Sequence, residues 1–314
     1  MKKIVSLVIS LAVVLSCMLP ATVAEGRKIN VVTTIFPIYD WTREVAGESD
    51  QVQLTLLLDS GVDLHNYQPT AADIMKIATC DAFIYGGGES DEWVENALQE
   101  AVNPNMIVIN LMEAMGEDVK MEEIVEGMET ESEDEDEADE HVWLSLRNAQ
   151  KLVSVIASAL GIADPAHEEN YQANAASYNE KLAALDQEYG RVVSEAAFKT
   201  VLFGDRFPFR YLVDDYHLGY YAAFSGCSAE TEASFQTIVF LAQKVDELKL
   251  PAVLTIEGAN HKIAETIINT TTEKNQKLLT MNSMQGCTMR DVQAGVTYLS
   301  VMQDNLEVLK LALN

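Results

Sequence analysis

The chain has 314 residues, a formal charge of −28 from 49 acidic against 21 basic residues, and 48% hydrophobic residues. That balance excludes a nucleic-acid partner, because phosphate binding needs a basic face, and it favours cations. The length is sufficient for two substantial cores.

Lys2 and Lys3 precede an apolar run over residues 4–15, then Pro20 and small residues up to Ala24. This is the layout of a secretory signal, and the run is too short to span a bilayer. Two processing readings stand: a peptidase site at Thr22-Val23-Ala24, or a lipobox at Val14-Leu15-Ser16-Cys17. Both place the mature protein outside the cytoplasm. Removing residues 1–24 leaves a charge of −30, since Lys2 and Lys3 are the charges in that stretch.

The spacing then predicts a buried strand over residues 28–34, a helix over 40–46 and a second strand over 51–58. The second strand ends at Asp59-Ser60-Gly61, and His65 follows just beyond, where open parallel sheets place their ligands. Thr70 caps a helix over 71–78, a strand follows over 82–85, and Gly86-Gly87-Gly88 breaks it. No Walker lysine follows those glycines. A helix over 93–101 and a strand over 106–110 complete an α/β lobe.

Residues 117–140 contain fourteen Asp or Glu and a single lysine, Lys120. Such a stretch buries too little apolar surface to fold alone and reads as a solvated loop, with the alternative that it draws divalent cations toward a cleft. It ends at His141, set between a carboxylate pair and the apolar anchor Val142-Trp143-Leu144. A helix over 147–160 comes next. Residues 164–195 hold a helical pattern of around 30 residues, roughly 45 Å if unbroken. Strands and helices then alternate again: 200–203, 211–216, 220–224, 235–248, 252–257, 263–271, 277–281, and a terminal helix over 291–313. The architecture expected is two similar α/β lobes with mostly parallel sheets joined by one long rigid helix. Its boundaries are 1–24 for the signal, 25–163, 164–196 for the linking helix, and 197–314. Cys80 reads as a buried thiol, whereas Cys227 and Cys287 stand beside glycines in loops and are candidates for a disulfide.

The segments 31–40, 61–70, 140–144 and 230–234, with the ending 295–299 and Asn305-Leu306, resemble the extracytoplasmic solute-binding proteins of ABC transporters for zinc and manganese. That family includes metal-binding lipoproteins also described as adhesins. The resemblance covers nearly the whole mature chain. It implies a metal held between two lobes, His65 and His141 as two of its ligands, delivery to a membrane permease, a monomer, and no enzymatic activity. Two departures follow. Gly204 stands where members usually supply a third imidazole, and the segment 281–285 offers Asn282 and Gln285 where many members have an acid.

Zinc favours about four ligands. Asp205, next to Gly204, is the first choice for the third; Glu257, at a strand's C-terminal end, and Gln285 are further candidates. Two imidazoles with carboxylates suit Zn2+ and tolerate Mn2+ or Fe2+. His167 reads as a solvated residue, His217 and His261 as surface or satisfied residues rather than ligands, and Glu230 and Glu232 as the start of a helix capped near Ser234. The rival readings are an envelope zinc hydrolase with one open metal position, and a member with a degenerate metal site that binds another ligand or acts as an adhesin. Against the hydrolase, no His-Glu-x-x-His pattern occurs.

Overall fold

The computed structural model describes residues 27–48, 50–129, 137–228, 232–258 and 260–314. The signal stretch with Cys17, the centre of the acidic segment and Glu230 lie outside the described residues. No helix among the described residues is long and apolar enough to cross a membrane.

The first lobe is built on β1 (Ile29–Thr33), β2 (Val52–Leu56), β3 (Ala82–Tyr85) and β4 (Ile107–Asn110), in the order β2-β1-β3-β4. Every pairing is parallel. Helices α1 (Phe36–Ala46), α2 (Ala71–Thr79), α3 (Trp93–Gln99) and α4 (Leu111–Met115) alternate with the strands. Thr70 caps α2 as expected, exchanging hydrogen bonds with Asp73 in a reciprocal box.

The second lobe repeats the plan. Strands β5 (Thr200–Phe207), β6 (Gly219–Ser225), β7 (Ala252–Ile256) and β8 (Lys277–Met281) run parallel in the order β6-β5-β7-β8. The order matches that of the first sheet, so both sheets present the C-terminal ends of equivalent strands. β5 is longer than expected and carries a register irregularity between Phe203 and Arg206, which re-aims the residues around Gly204.

Between the lobes, α5 (Leu146–Ala163) packs along α6 (Glu168–Glu195). α6 has 28 residues, about 42 Å at 1.5 Å per residue. It buries Tyr171, Tyr178, Leu182, Leu185 and Tyr189 along one stripe. The expected helix begins later, because Pro165–His167 forms a separate 3-10 turn.

Helix α7 (Arg210–Asp215) lies between β5 and β6, and after β6 come α8 (Phe235–Leu248), α9 (Lys262–Thr270), α10 (Met289–Gln293) and α11 (Tyr298–Ala312). The single terminal helix expected over 291–313 is thus two. Gly295 at φ +94° breaks it, and Thr297 caps the second piece. The break places Tyr298 against the first lobe: its N–H donates to Asp40 Oδ2 at 2.8 Å and its hydroxyl to the Trp143 carbonyl at 2.7 Å. Its ring stands edge-on to Trp41 at 5.0 Å. One hydrophobic cluster therefore runs through both lobes, and a smaller one lies under α8 and α9.

The acidic segment departs from expectation. Where described, residues 117–129 form a strap that crosses onto the second lobe. Glu129 N–H bonds the Ala223 carbonyl, and Glu129 Oε1 accepts from Ser234 N–H and the Thr237 hydroxyl at the start of α8. Lys120 N–H bonds the Tyr211 hydroxyl while its ammonium pairs with Asp214. Carboxylates that bury no apolar surface are still ordered by donors waiting at strand ends and helix starts.

Candidate metal centre

His65 sits in a 3-10 turn, Leu64–Asn66, in the loop that follows β2. Asp63 fixes that turn by accepting from His65 N–H at 3.1 Å. His141 opens the 3-10 turn Val142–Leu144 and is completely buried. The apolar anchor after it does the fixing: Trp143 is buried, packs edge-on against the imidazole at 5.2 Å, and donates Nε1–H to the Ser283 carbonyl at 2.9 Å. The two imidazole centroids are 5.4 Å apart.

Each ring is oriented by a carboxylate. His141 Nδ1 lies 3.0 Å from Asp139 Oδ1, which also accepts the His141 N–H at 2.8 Å. His65 Nδ1 lies 3.0 Å from Glu140 Oε1 and 2.7 Å from the Ser90 hydroxyl. An Nδ1–H donated to a carboxylate leaves Nε2 as the lone-pair nitrogen. Both Nε2 atoms are buried with no hydrogen-bond partner. Burial without a partner is costly, and a bound cation removes that cost.

The third ligand-type atom at this place is Cys227 Sγ: one donor atom each from His65, His141 and Cys227 lie within 4.8 Å of one another. Cys227 follows the C-terminal end of β6. Its N–H donates to Glu122 Oε1 of the strap at 3.1 Å, and its thiol lies 4.0 Å from Glu140 Oε1. Gly226 makes the approach feasible, because a Cβ there would stand 3.1 Å from the His141 ring and 3.0 Å from the Phe207 carbonyl. A tetrahedral zinc with N and S ligands sets its donor atoms roughly 3.5 Å apart, so a modest contraction of the trio produces that geometry.

Burial pushes the Cys227 thiol up, and the charges of Glu140, Glu122 and Asp139 add to it. Burial also opposes a charged His141, yet Asp139 and then Glu140 outweigh it and raise that imidazole. For Glu140 burial acts upward, but bonds and charge from His65, the charge of His141 and the Ser90 hydroxyl hold the carboxyl below its usual range. The trio thus sits in a field that is negative without a cation.

The remaining candidates lie elsewhere. Asp205 accepts from Arg206 N–H at 2.9 Å and Ile256 N–H at 3.2 Å, tying β5 to β7. Glu257 accepts from Ser283 N–H and hydroxyl and from Gln285 N–H, so it cradles the loop after β8. Asp205, Glu257 and Gln285 line an inter-lobe cleft that none of His65, His141 and Cys227 lines. Gly204 has no room for a side chain: a Cβ would meet Ala264 Cα of α9 at 2.5 Å. Arg206 takes part in neither shell but bridges the ligand loops, with Nη2 on Asp63 Oδ2 at 2.5 Å and Nη1 on the Ser228 carbonyl at 3.4 Å.

Cys227 and Cys287 are free thiols, so the candidate disulfide between them is not formed. The sequence did hold a signal for Cys227: it follows the C-terminal end of an expected parallel strand, the same rule that singled out His65 and Glu257. His167, expected at the surface, is half-buried against Asp164 Oδ2 at 2.7 Å, and Ser234 caps α8 as expected.

The family model described as ZnuA, zinc-uptake complex component A, periplasmic, matches residues 31–312. The zinc-binding lipoprotein AdcA of Streptococcus pneumoniae is 34% identical over 295 residues, covering 91% of this chain and 56% of that protein. The high-affinity zinc uptake system protein ZnuA of Bacillus subtilis is 29% identical over 295 residues, covering 91% of this chain and 88% of that protein. This chain therefore spans about half the length of its AdcA relatives. Among solved structures, the Zn(II)-bound ZnuA-like domain of Streptococcus pneumoniae AdcA superposes with a TM-score of 0.72 at 32% identity, covering 91% of this chain and 99% of that one.

Proposed function

We propose that this chain, which belongs to the ZnuA family of periplasmic zinc-uptake components, is a carrier that captures one zinc ion outside the cytoplasm and presents it to an ABC permease. The observation that carries the reading is the pair of buried, partnerless Nε2 atoms of His65 and His141 beside the Cys227 thiol. His65, His141 and Cys227 are the proposed ligands, with one position left to water or a neighbouring oxygen. A thiolate in the shell favours zinc over manganese, whose preference is for oxygen donors. The relatives' names, zinc-binding lipoprotein and zinc uptake protein, point the same way.

The carrier reading is favoured over a hydrolase. A zinc-bound water needs a free general base, and the carboxylates beside the trio are engaged: Asp139 by His141, Glu140 by His65 and Ser90, and Glu122 by the Cys227 N–H. The protein acts as a monomer in this reading, with the two lobes supplying the whole site.

Competition titration of metal-stripped protein with zinc tests the reading. Wild type binds one zinc tightly. His65→Ala, His141→Ala and Cys227→Ser each weaken binding by at least about tenfold, since even the groups behind metal ligands are worth that much, while Asp205→Ala stays within about threefold. Loss in Asp205→Ala with Cys227→Ser unchanged would return the third ligand to the cleft.

A further inference from the structure

A cleft of about 600 Å³ opens between the lobes at the C-terminal ends of β5, β7 and β8. Its size lies in the range of small-molecule sites, roughly 300–1,000 Å³. A single ion does not require such a space.

The polar groups on its wall separate into two sets. Every carboxylate is already occupied: Asp63 by the Arg206 guanidinium, Asp205 by two backbone N–H groups, and Glu257 by the Ser283 to Gln285 loop. The other set has no partner. Gln285 is 5% exposed, and neither its amide nitrogen nor its amide oxygen is hydrogen-bonded. The buried His261 Nδ1 is likewise partnerless, on a residue held in the left-handed region at φ +56°. Lys262 lines the cleft and makes no ion pair among the described residues. His261 is the residue before α9 and Lys262 its first; the Lys262 N–H is taken by Asn260 Oδ1 at 3.2 Å, and the helix dipole adds a general preference for negative charge at this end. Non-glycine residues in that backbone region carry strain that collects at binding sites.

The unmatched set is thus an ammonium, one imidazole nitrogen and an amide N–H pair, with a single amide oxygen as acceptor. Its complement is a ligand carrying several anionic oxygens and one hydroxyl. We propose that the cleft beside the metal trio is a second binding site, for a small hydroxycarboxylate anion held by Gln285, His261 and Lys262. The Asp63–Arg206 pair forms the wall between this site and the loop of His65, so the two sites adjoin without sharing a ligand residue.

Calorimetric titration of the metal-stripped full chain with citrate tests the proposal, with succinate and inorganic phosphate as comparison ligands. One citrate binds per chain, more tightly than succinate, which lacks the hydroxyl, and more tightly than phosphate. Binding weakens in high salt, as the pairing of opposite charges requires. A Lys262→Ala, Gln285→Ala double variant loses about tenfold or more in citrate affinity, the scale of hydrogen bonds to a charged group. Gln285→Glu, which adds a like charge while keeping the side-chain shape, loses more. His141→Ala binds citrate as wild type does while losing zinc, which keeps failure of this site distinguishable from failure of the metal site. Absence of citrate binding to wild type, equal affinity in the double variant with its fold intact by circular dichroism, or tighter binding of phosphate than citrate would each overturn the proposal.

Discussion

Burial and three neighbouring carboxylates raise the Cys227 thiol, yet as the proposed third ligand it would bind zinc only as the thiolate. In that reading capture expels the thiol proton, and also the His141 proton wherever that imidazole, itself raised, is charged. Each proton released per zinc makes apparent affinity climb about tenfold per pH unit while that group is protonated in the free protein. Calorimetry in buffers of different ionisation enthalpy counts that proton directly; a count of zero at pH 7 removes Cys227 from the shell. Glu140 acts one layer out, orienting His65 while its own charge faces the site. Glu140→Gln keeps the shape and loses the charge, and it lowers zinc affinity by about tenfold to a hundredfold. Affinity equal to wild type would mean the carboxylate only fills space.

At the scale of elements, the strap over residues 117–129 determines where Cys227 stands. It leaves the first lobe after α4, bonds β6 through Glu129 and the Cys227 N–H through Glu122, and returns to His141. Two of the three donors are thus positioned by one acidic segment. Glu129 anchors it: burial opposes its charge, but the Thr237 and Ser234 donors hold its carboxyl below the ordinary range. Glu129→Ala lowers stability by about 1 kcal/mol, the reduced value suited to a partly exposed charged bond. It also speeds amide exchange over the strap and at the start of α8. Exchange unchanged in those segments would show that the strap is held by other contacts.

Across the whole molecule, the lobes are joined by a continuous core rather than by a hinge. Tyr298 of α11 reaches Asp40 of α1 and the carbonyl before Leu144, and α6 runs beside both lobes. Zinc binding then moves loops rather than lobes, and the radius of gyration in solution scattering changes by less than about 1 Å. A larger contraction would require a hinge this core does not provide. Asp40 itself is fully buried, and burial, against the pull of Arg43 and the Tyr298 N–H, raises its carboxyl to about 6. A raised acid stabilises the fold while protonated, below its ordinary value near 3.8, and that contribution is lost as pH rises through about 6. Measured against Asp40→Asn, wild type therefore loses thermal stability between about pH 4 and pH 7 and then levels off. A difference independent of pH would mean that Asp40 stays charged throughout.

The two α/β lobes, the long helix and the cap at Thr70 were legible in the residues alone, because hydrophobic period and capping chemistry are local. His65 and His141 also stood out from short segments, each next to its own turn or anchor residue. The demand for glycine at Gly204 was not legible in the sequence, because the backbone of α9 that a Cβ there would meet at 2.5 Å lies sixty residues away. The proposed partner for the two imidazoles was likewise beyond a linear reading. Asp205 is adjacent in sequence to the gap, yet two backbone N–H groups claim it, while Cys227 arrives from the neighbouring strand across a parallel pairing. Which side chains meet is decided by sheet order and by donors reaching across from distant segments, and both exist only once the chain has folded.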